Sequence, residues 1–205
     1  MPQDSRAAPR KTPRQQRSKA TVDAILEAAA RILVQDGYEA TTTRKVAEVA
    51  GVSIGSLYQY FPSKEALVTA LAERQVERVL AKVSEALEGA PGAALPDVAR
   101  QLAQGIIGAY AENPRLYQEV FEQGPRFGMP DVLRNLQQRI ESIVRVFLTQ
   151  QASALRPRNL DLATFVITRT IRGVVLSAAT ERPELFSDPE LLDELSALMM
   201  GYLMP

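Results

Sequence analysis

Cysteine and histidine are both absent from the 205-residue sequence. Without cysteine the chain has no disulfide framework, no thiolate metal site and no cysteine nucleophile. Without histidine it has no Ser-His-Asp triad, no His-ligated zinc and no imidazole for acid–base catalysis. We therefore expect no enzyme activity, no catalytic residue, no metal site and no cofactor.

One short match to a hydrolase motif is accidental. Residues 51–55, GVSIG, fit the G-x-S-x-G nucleophile elbow. That motif requires a preceding strand and a histidine base. Here a predicted helix precedes it, so the match carries no prediction of catalysis.

Long apolar runs are also missing. No stretch of 18 consecutive apolar residues occurs, and the basic N-terminus is not followed by the apolar segment of a secretory signal. We therefore expect a soluble protein of the cytoplasm with no membrane partner.

The formal net charge is zero, but the charge is unevenly distributed. Residues 1–65 carry ten Lys/Arg and seven Asp/Glu, whereas the remainder carries 14 and 17. A basic N-terminal part suggests a polyanionic partner at that end. Residues 1–17, rich in proline and arginine, are predicted to be a disordered basic arm. Such an arm is either a solvated tail or a contact to DNA phosphates or a minor groove.

Two short helices and a tight turn are predicted in residues 42–67, TTRKVAEVAGVSIGSLYQYFPSKEAL. Thr42 suits the N-cap of the first helix, and Gly51 stands where a left-handed residue ends it. Ser53 suits the N-cap of the second helix, which Leu57 anchors in the core. This arrangement of helix, glycine-containing turn and helix fits a DNA major groove.

The second helix carries unusual outward side chains. Gly55 and Ser56 let a backbone approach a surface closely, and Tyr58 and Tyr60 offer hydroxyls and flat rings. Partial packing under the motif is the alternative for one of the two tyrosines. Lys64 opposes the dipole of the next helix slightly, which is reasonable if a phosphate lies opposite.

Residues 42–67, with VDAILEAAARILVQDGYEATT upstream, resemble the DNA-binding domain of the TetR family of transcriptional regulators. The resemblance covers residues 18–68, about a quarter of the chain. It implies double-stranded DNA as partner, and it implies that Arg44 reaches a guanine edge. The expected DNA-contacting residues are Thr43, Arg44, Ser53, Gly55, Ser56, Tyr58, Tyr60 and Lys64.

Helical periodicity continues to the end of the chain and predicts an all-α protein of about nine helices. The resemblance implies an N-terminal three-helix helix-turn-helix domain and a C-terminal helical domain for ligand binding and dimerisation. We place the basic arm at 1–17, the DNA-binding domain at 18–65 and the second domain at 66–205. The last two helices, at about 160–181 and 189–203, are broadly apolar, which suggests a homodimer through a four-helix bundle. A core that closes within one chain is the alternative.

A ligand pocket in the C-terminal domain is implied by the resemblance. The glycine- and proline-rich turn at 124–130 is predicted to be a hinge or the lip of the pocket, and Arg169 or Arg172 would supply polarity. Aromatic residues at helical spacing also suit an ordinary core. The predicted lining residues are Tyr110, Tyr117, Phe121, Phe127, Met129 and Arg172.

The sequence thus predicts a ligand-responsive repressor that binds a palindromic operator as a homodimer and is released by a small, mostly apolar effector of unknown identity. The alternative is a helical protein that binds a small molecule or a partner and whose DNA-binding domain is degenerate. The presence of Arg44, Tyr58 and Lys64 argues against that alternative.

Overall fold

The computed structural model of the chain describes residues 13–88, 93–123, 130–156 and 159–205. All regular structure within these ranges is helical, which confirms the predicted all-α class. Two short 3-10 turns, Ala152–Ala154 and Pro183–Ser187, lie among the later helices. The α-helices of the described ranges are α1 (Pro13–Ala40), α2 (Thr43–Val49), α3 (Ile54–Tyr60), α4 (Lys64–Glu88), α5 (Leu95–Ala111), α6 (Pro114–Gln123), α7 (Pro130–Gln150), α8 (Leu160–Glu181) and α9 (Pro189–Leu203).

The first helix differs from its prediction at both ends. It begins at Pro13 rather than at about Ser18, so residues 13–17 of the predicted disordered arm are helical. Proline suits a first helical position, because its φ is fixed and its missing N–H would have no partner there. The rest of the arm, residues 1–12, lies outside the described residues. At the other end the helix breaks at Gly37, with φ 77° and ψ 175°, and one more turn follows to Ala40.

Two compact units make up the structure, the first ending at Leu67 and the second beginning at Val68. In the first unit, α2 packs against both α1 and α3. The fully buried side chains of this unit include Ile25, Leu33, Val46 and Leu57. Truncating such a side chain to alanine costs about 2–5 kcal/mol, so these residues fix how the three helices pack.

The second unit is built from the remaining helices around a large apolar core, and a smaller apolar cluster joins α4 to α7. Its main helix pairs are α5 with α9 and α7 with α8. Val83, Val175 and Met199 are among its most deeply buried side chains. The end of α9 is fixed by Arg156, whose backbone N–H donates to the Leu203 carbonyl at 2.8 Å.

Helix α8 is long and apolar enough to cross a membrane by length and composition. Its hydropathy is that of a core helix, because eight of its 22 residues are buried within the second unit. The side chains of Leu162 and Phe165 are nevertheless more than half exposed, and Leu198 on α9 is 41% exposed. Apolar surface therefore remains uncovered on the two helices predicted to dimerise.

Candidate nucleic-acid interface and ligand cavity

The turn between α2 and α3 is a Schellman motif. The Gly51 N–H donates to the Glu48 carbonyl at 3.1 Å, and the Val52 N–H donates to the Ala47 carbonyl at 3.0 Å. Gly51 adopts φ 68°, a left-handed conformation that glycine reaches without steric cost. The bond pattern closes α2 and directs the chain into α3, as the sequence predicted.

Both motif helices begin with the predicted caps. The Thr42 hydroxyl accepts from the Lys45 N–H at 3.2 Å. The Ser53 hydroxyl accepts from the Ser56 N–H at 3.0 Å and lies 2.8 Å from the Ser56 hydroxyl. These bonds stabilise the first turn of each helix, and in α3 they gather two hydroxyl groups at one end of the motif.

Leu57 fixes which side of α3 faces outward. Its side chain is fully buried, so the opposite side of the helix is exposed. A side chain at Gly55 would meet only the Ser53 hydroxyl, at 4.0 Å, so the backbone is open to close approach there. Tyr58 is 51% exposed and Tyr60 37%.

Two further α3 side chains are exposed and were not singled out from the sequence. Ile54 is 42% exposed, and Gln59 stands two residues after the buried Leu57, which turns it outward. Glutamine is a good reader of adenine edges, and an apolar side chain suits a thymine methyl group. The helical period measured from Leu57 was the signal that could have identified Gln59. Ile54 stands three residues before Leu57, at the first position of α3, and the period does not predict its exposure.

Thr43 and Tyr58 are brought together by the fold. Their hydroxyl oxygens lie 3.1 Å apart, which joins the start of α2 to the middle of α3. Arg44, next to Thr43, is exposed and makes no ion pair with a described residue. Its neighbour Lys45, by contrast, is paired with Asp36 at 3.0 Å. Arg44 therefore has its whole guanidinium available to a ligand.

Lys64 has a structural partner that the sequence did not predict. Its ammonium donates to the Tyr38 carbonyl at 3.1 Å and lies 3.8 Å from the centre of the Tyr38 ring. The Tyr38 hydroxyl in turn donates to the Glu65 carboxylate at 3.2 Å. Hydrogen bonds to the Glu65 carboxylate, from its own backbone and from Ser63, lower its pKa. The Lys64 side chain is 22% exposed. Its predicted phosphate contact would therefore be made by an ammonium group that already donates one hydrogen bond to the Tyr38 carbonyl.

The predicted ligand-pocket residues divide into three groups. Tyr110 and Tyr117 are buried and stacked, with ring centroids 4.2 Å apart. Arg172 lies near Tyr110 on the neighbouring helix α8. The side chain of Phe121, and Phe127 and Met129 entirely, lie outside the described residues.

A small cavity of about 40 Å³ lies in the second unit between α4, α5, α7 and α8. Tyr110 and Arg172 line it, together with aliphatic side chains such as Val83 and Ile171. Tyr117 lies behind Tyr110 and does not reach it. Burial raises the pKa of Tyr110 to about 12, and the Arg172 guanidinium opposes that rise. The hydroxyl is therefore neutral at ordinary pH.

Two family models match the chain. Residues 25–71 match the bacterial regulatory proteins of the tetR family, and residues 94–203 match the Tetracyclin repressor-like C-terminal domain. The second match alone covers more than half of the chain. An HTH-type transcriptional regulator of Bacillus subtilis, YhgD, is 24% identical over 78% of this chain and 85% of its own length.

Another relative matches a shorter part of the chain. The HTH-type transcriptional repressor KstR of Mycolicibacterium smegmatis is 47% identical over 62 residues, 30% of each chain. Among solved structures, a TetR-family protein of Mesorhizobium loti has a TM-score of 0.71 at 18% identity, covering 92% of this chain and 99% of its own. Salmonella enterica GusR has a TM-score of 0.70 at 23% identity, covering 89% and 95%. These structures share the fold. With both family models matched, the chain belongs to the TetR family of transcriptional regulators.

Proposed function

We propose that this regulator is a cytoplasmic, ligand-responsive repressor that binds a palindromic operator as a homodimer. The observation that carries the proposal is the exposed side of α3. There an open glycine backbone, hydroxyl groups and two half-exposed tyrosines surround a helix whose only fully buried anchor is Leu57. The groups of this surface are those that contact phosphates and base edges.

The residues of this surface take different roles in the proposal. Those at the start of α3 face the groove, and Arg44 reads a guanine edge. Thr43, Tyr58 and Lys64 contact phosphates, and Tyr60 contacts a phosphate or a base. The proposed DNA-binding set is Thr43, Arg44, Ser53, Gly55, Ser56, Tyr58, Tyr60 and Lys64, within a DNA-binding domain at residues 18–65.

Dimerisation through α8 and α9 is supported by what these helices expose. Leu162, Phe165 and Leu198 are solvent-accessible apolar side chains. Gly173 and Gly201 each have open space where a side chain would stand. Apolar side chains beside open glycines let helices of two subunits approach closely and bury their surface in a four-helix bundle. A two-fold dimer then predicts an operator with two half-sites in inverted orientation.

Release from DNA is assigned to a small, mostly apolar effector in the domain at residues 66–205. The cavity beside Tyr110 and Arg172 supports this assignment, because it is lined mainly by aliphatic side chains. The dimer has one conformation whose two α3 helices are spaced for the operator and one in which they are not. An effector that binds the second conformation more tightly reduces operator affinity, and the size of the reduction is set by how much more tightly it binds that conformation.

Selection from a randomised DNA pool tests this function. Full-length protein is incubated with the pool, and the retained DNA is sequenced. We expect a palindromic consensus, and we expect Arg44→Ala to lose the preference at one base pair of each half-site. Lys45→Ala is the matched control, because that lysine is already paired with Asp36. A monomeric protein at micromolar concentration with no enrichment of any sequence would contradict the proposal.

A further inference from the structure

Four polar side chains line the cavity of the second unit, and two of them are already satisfied. Gln137 donates through its amide to the Glu141 carboxylate at 3.2 Å. The Thr168 hydroxyl donates to the Phe165 carbonyl at 3.3 Å. Arg172 and the Tyr110 hydroxyl complete the set. Neither makes a hydrogen bond or an ion pair to a residue within the described ranges.

Arg172 differs in this respect from the other arginines of α7 and α8. Arg145 pairs with Asp161 at 2.6 Å, and Arg169 pairs with Glu141 at 3.0 Å. Both of those arginines are exposed. Arg172 is half-buried instead, with its guanidinium near the Tyr110 hydroxyl. A guanidinium removed from water without a carboxylate nearby loses solvation that only an anion restores fully.

We infer that the effector is an amphipathic carboxylate. Its carboxylate group binds the Arg172 guanidinium and accepts a hydrogen bond from the Tyr110 hydroxyl, and its apolar part lies among the aliphatic side chains of the cavity. This inference rests on the proposed function and names the chemical class of its ligand. A planar guanidinium matches a carboxylate through two parallel N–H···O bonds, which gives both affinity and orientation.

The Tyr110 hydroxyl is protonated and can therefore donate a hydrogen bond to the ligand carboxylate. Its pKa of about 12 keeps the hydroxyl protonated, so it donates to a carboxylate throughout the physiological range. Its ring is held in place by stacking on Tyr117. The hydroxyl is therefore a fixed donor beside the cation.

The cavity is small, so a bound ligand must displace the helices that line it. The cavity volume of about 40 Å³ is far below the roughly 300–1,000 Å³ of a typical ligand pocket, so a ligand enters only if the surrounding side chains move. An apolar tail must part the aliphatic side chains of the surrounding helices. Val79 and Val83 on α4 are among them, and α4 begins at Lys64 in the first unit. The helix that lines the ligand site is thus the helix that follows the DNA-binding motif.

Binding of a matched series of ligands tests this inference. Full-length protein is titrated by calorimetry, without DNA, with unbranched carboxylates from hexanoate to hexadecanoate and with alcohols of the same chain lengths. We expect at least one carboxylate to bind about tenfold or more tightly than its alcohol, as expected for a charge-assisted hydrogen bond. Equal binding of acid and alcohol, or no binding by any acid of the series, would overturn the inference.

Variants of the guanidinium make the test specific to this site. Arg172→Gln should reduce the affinity for the carboxylate about tenfold or more and leave that for the alcohol unchanged. Arg172→Lys should retain part of the affinity, because the charge remains and the bidentate geometry is lost. Arg145→Gln, which removes an exposed arginine of α7, is the matched control. An equal loss in Arg145→Gln and Arg172→Gln would also overturn the inference.

The two proposals can fail separately. Ligand binding is measured without DNA, so carboxylate selectivity can be present in a protein that enriches no DNA sequence. Conversely, a palindromic consensus with no carboxylate preference would leave the repressor proposal standing and reject the effector class. If the solubility of Arg172→Gln is poor, the comparison of acid with alcohol in the unmodified protein still decides the question.

Discussion

The hydroxyl oxygens of Thr43 and Tyr58 lie 3.1 Å apart and connect the start of α2 to the exposed side of α3. Each hydroxyl can give its proton to the other or to a third group. A DNA phosphate at this point would accept from one hydroxyl while the other supports it. In the proposed complex with DNA, the pair would therefore contact a phosphate with a geometry that is set before DNA arrives.

Removing the Tyr58 hydroxyl should weaken DNA binding without unfolding the motif. In Tyr58→Phe the half-exposed ring remains, so we expect the free energy of unfolding to change by less than about 0.5 kcal/mol. The affinity for the operator should fall about tenfold, since a hydrogen bond to a charged phosphate is lost. All sequences should be affected alike, as measured by fluorescence anisotropy on operator and non-operator DNA. A selective loss on one sequence would instead assign Tyr58 to a base.

Lys64 should have two separable effects. In Lys64→Gln the Tyr38 ring loses its cation and the Tyr38 carbonyl loses a donor, so urea unfolding should show a loss of about 1–2 kcal/mol. If the ammonium also contacts a phosphate, the slope of log K against log salt should become less steep by about 1 per subunit. Lys45→Gln is the control, because its exposed pair with Asp36 contributes at most about 1 kcal/mol. Lost stability with an unchanged salt slope would leave Lys64 a purely structural residue.

The two glycines of the motif should respond in opposite ways to alanine. Gly51→Ala should destabilise the protein by about 1–2 kcal/mol, because φ 68° is strained for any residue with a side chain even though space is available. Gly55→Ala should keep or raise stability by up to about 1 kcal/mol, because alanine favours a helix. Its operator affinity should nevertheless fall, since the added methyl group stands between the α3 backbone and DNA. Thermal unfolding and DNA binding on the same samples separate the two effects.

A side chain at Gly173 should block dimerisation without harming the protomer. No atom lies within 4 Å of a side chain added there. Gly173→Gln should therefore keep the folded content seen by circular dichroism, while sedimentation shows a dimer dissociation constant raised about tenfold or more. Gly108→Gln on α5 is the matched control, because it is equally open and lies in a groove between α4 and α5. Unaltered dimers in Gly173→Gln would move the subunit interface elsewhere.

The helices were largely predictable because their signals are local. Caps such as Ser53, the glycine at position 51 and the 3.6-residue period each depend on neighbours a few positions away. The start of α1 was wrong, because a proline-rich composition suggests disorder while Pro13 itself suits the first turn of a helix.

The contacts that the sequence did not predict join distant residues. Lys64 and Tyr38 are 26 positions apart, and no periodicity connects a lysine to a particular carbonyl. The pairing of Arg169 with Glu141, which leaves Arg172 for the cavity, likewise depends on how α7 and α8 pack. Gln59 is a different case, since the helical period from Leu57 would have identified it had the opposite side of α3 been considered in full.

The turn at Gly51 and Val52 also bears on how this protein can change over generations. The hydrogen bonds of this turn join backbone groups only. Gly51 supplies the left-handed conformation that the turn needs, and the buried Leu57 anchors α3 in the core. Outer side chains of α3 that do not cap the helix, such as Gln59, can then be exchanged without loss of the scaffold. Changes at such positions would alter the DNA sequence that the motif prefers and keep its fold, so a shared scaffold does not imply a shared set of target genes.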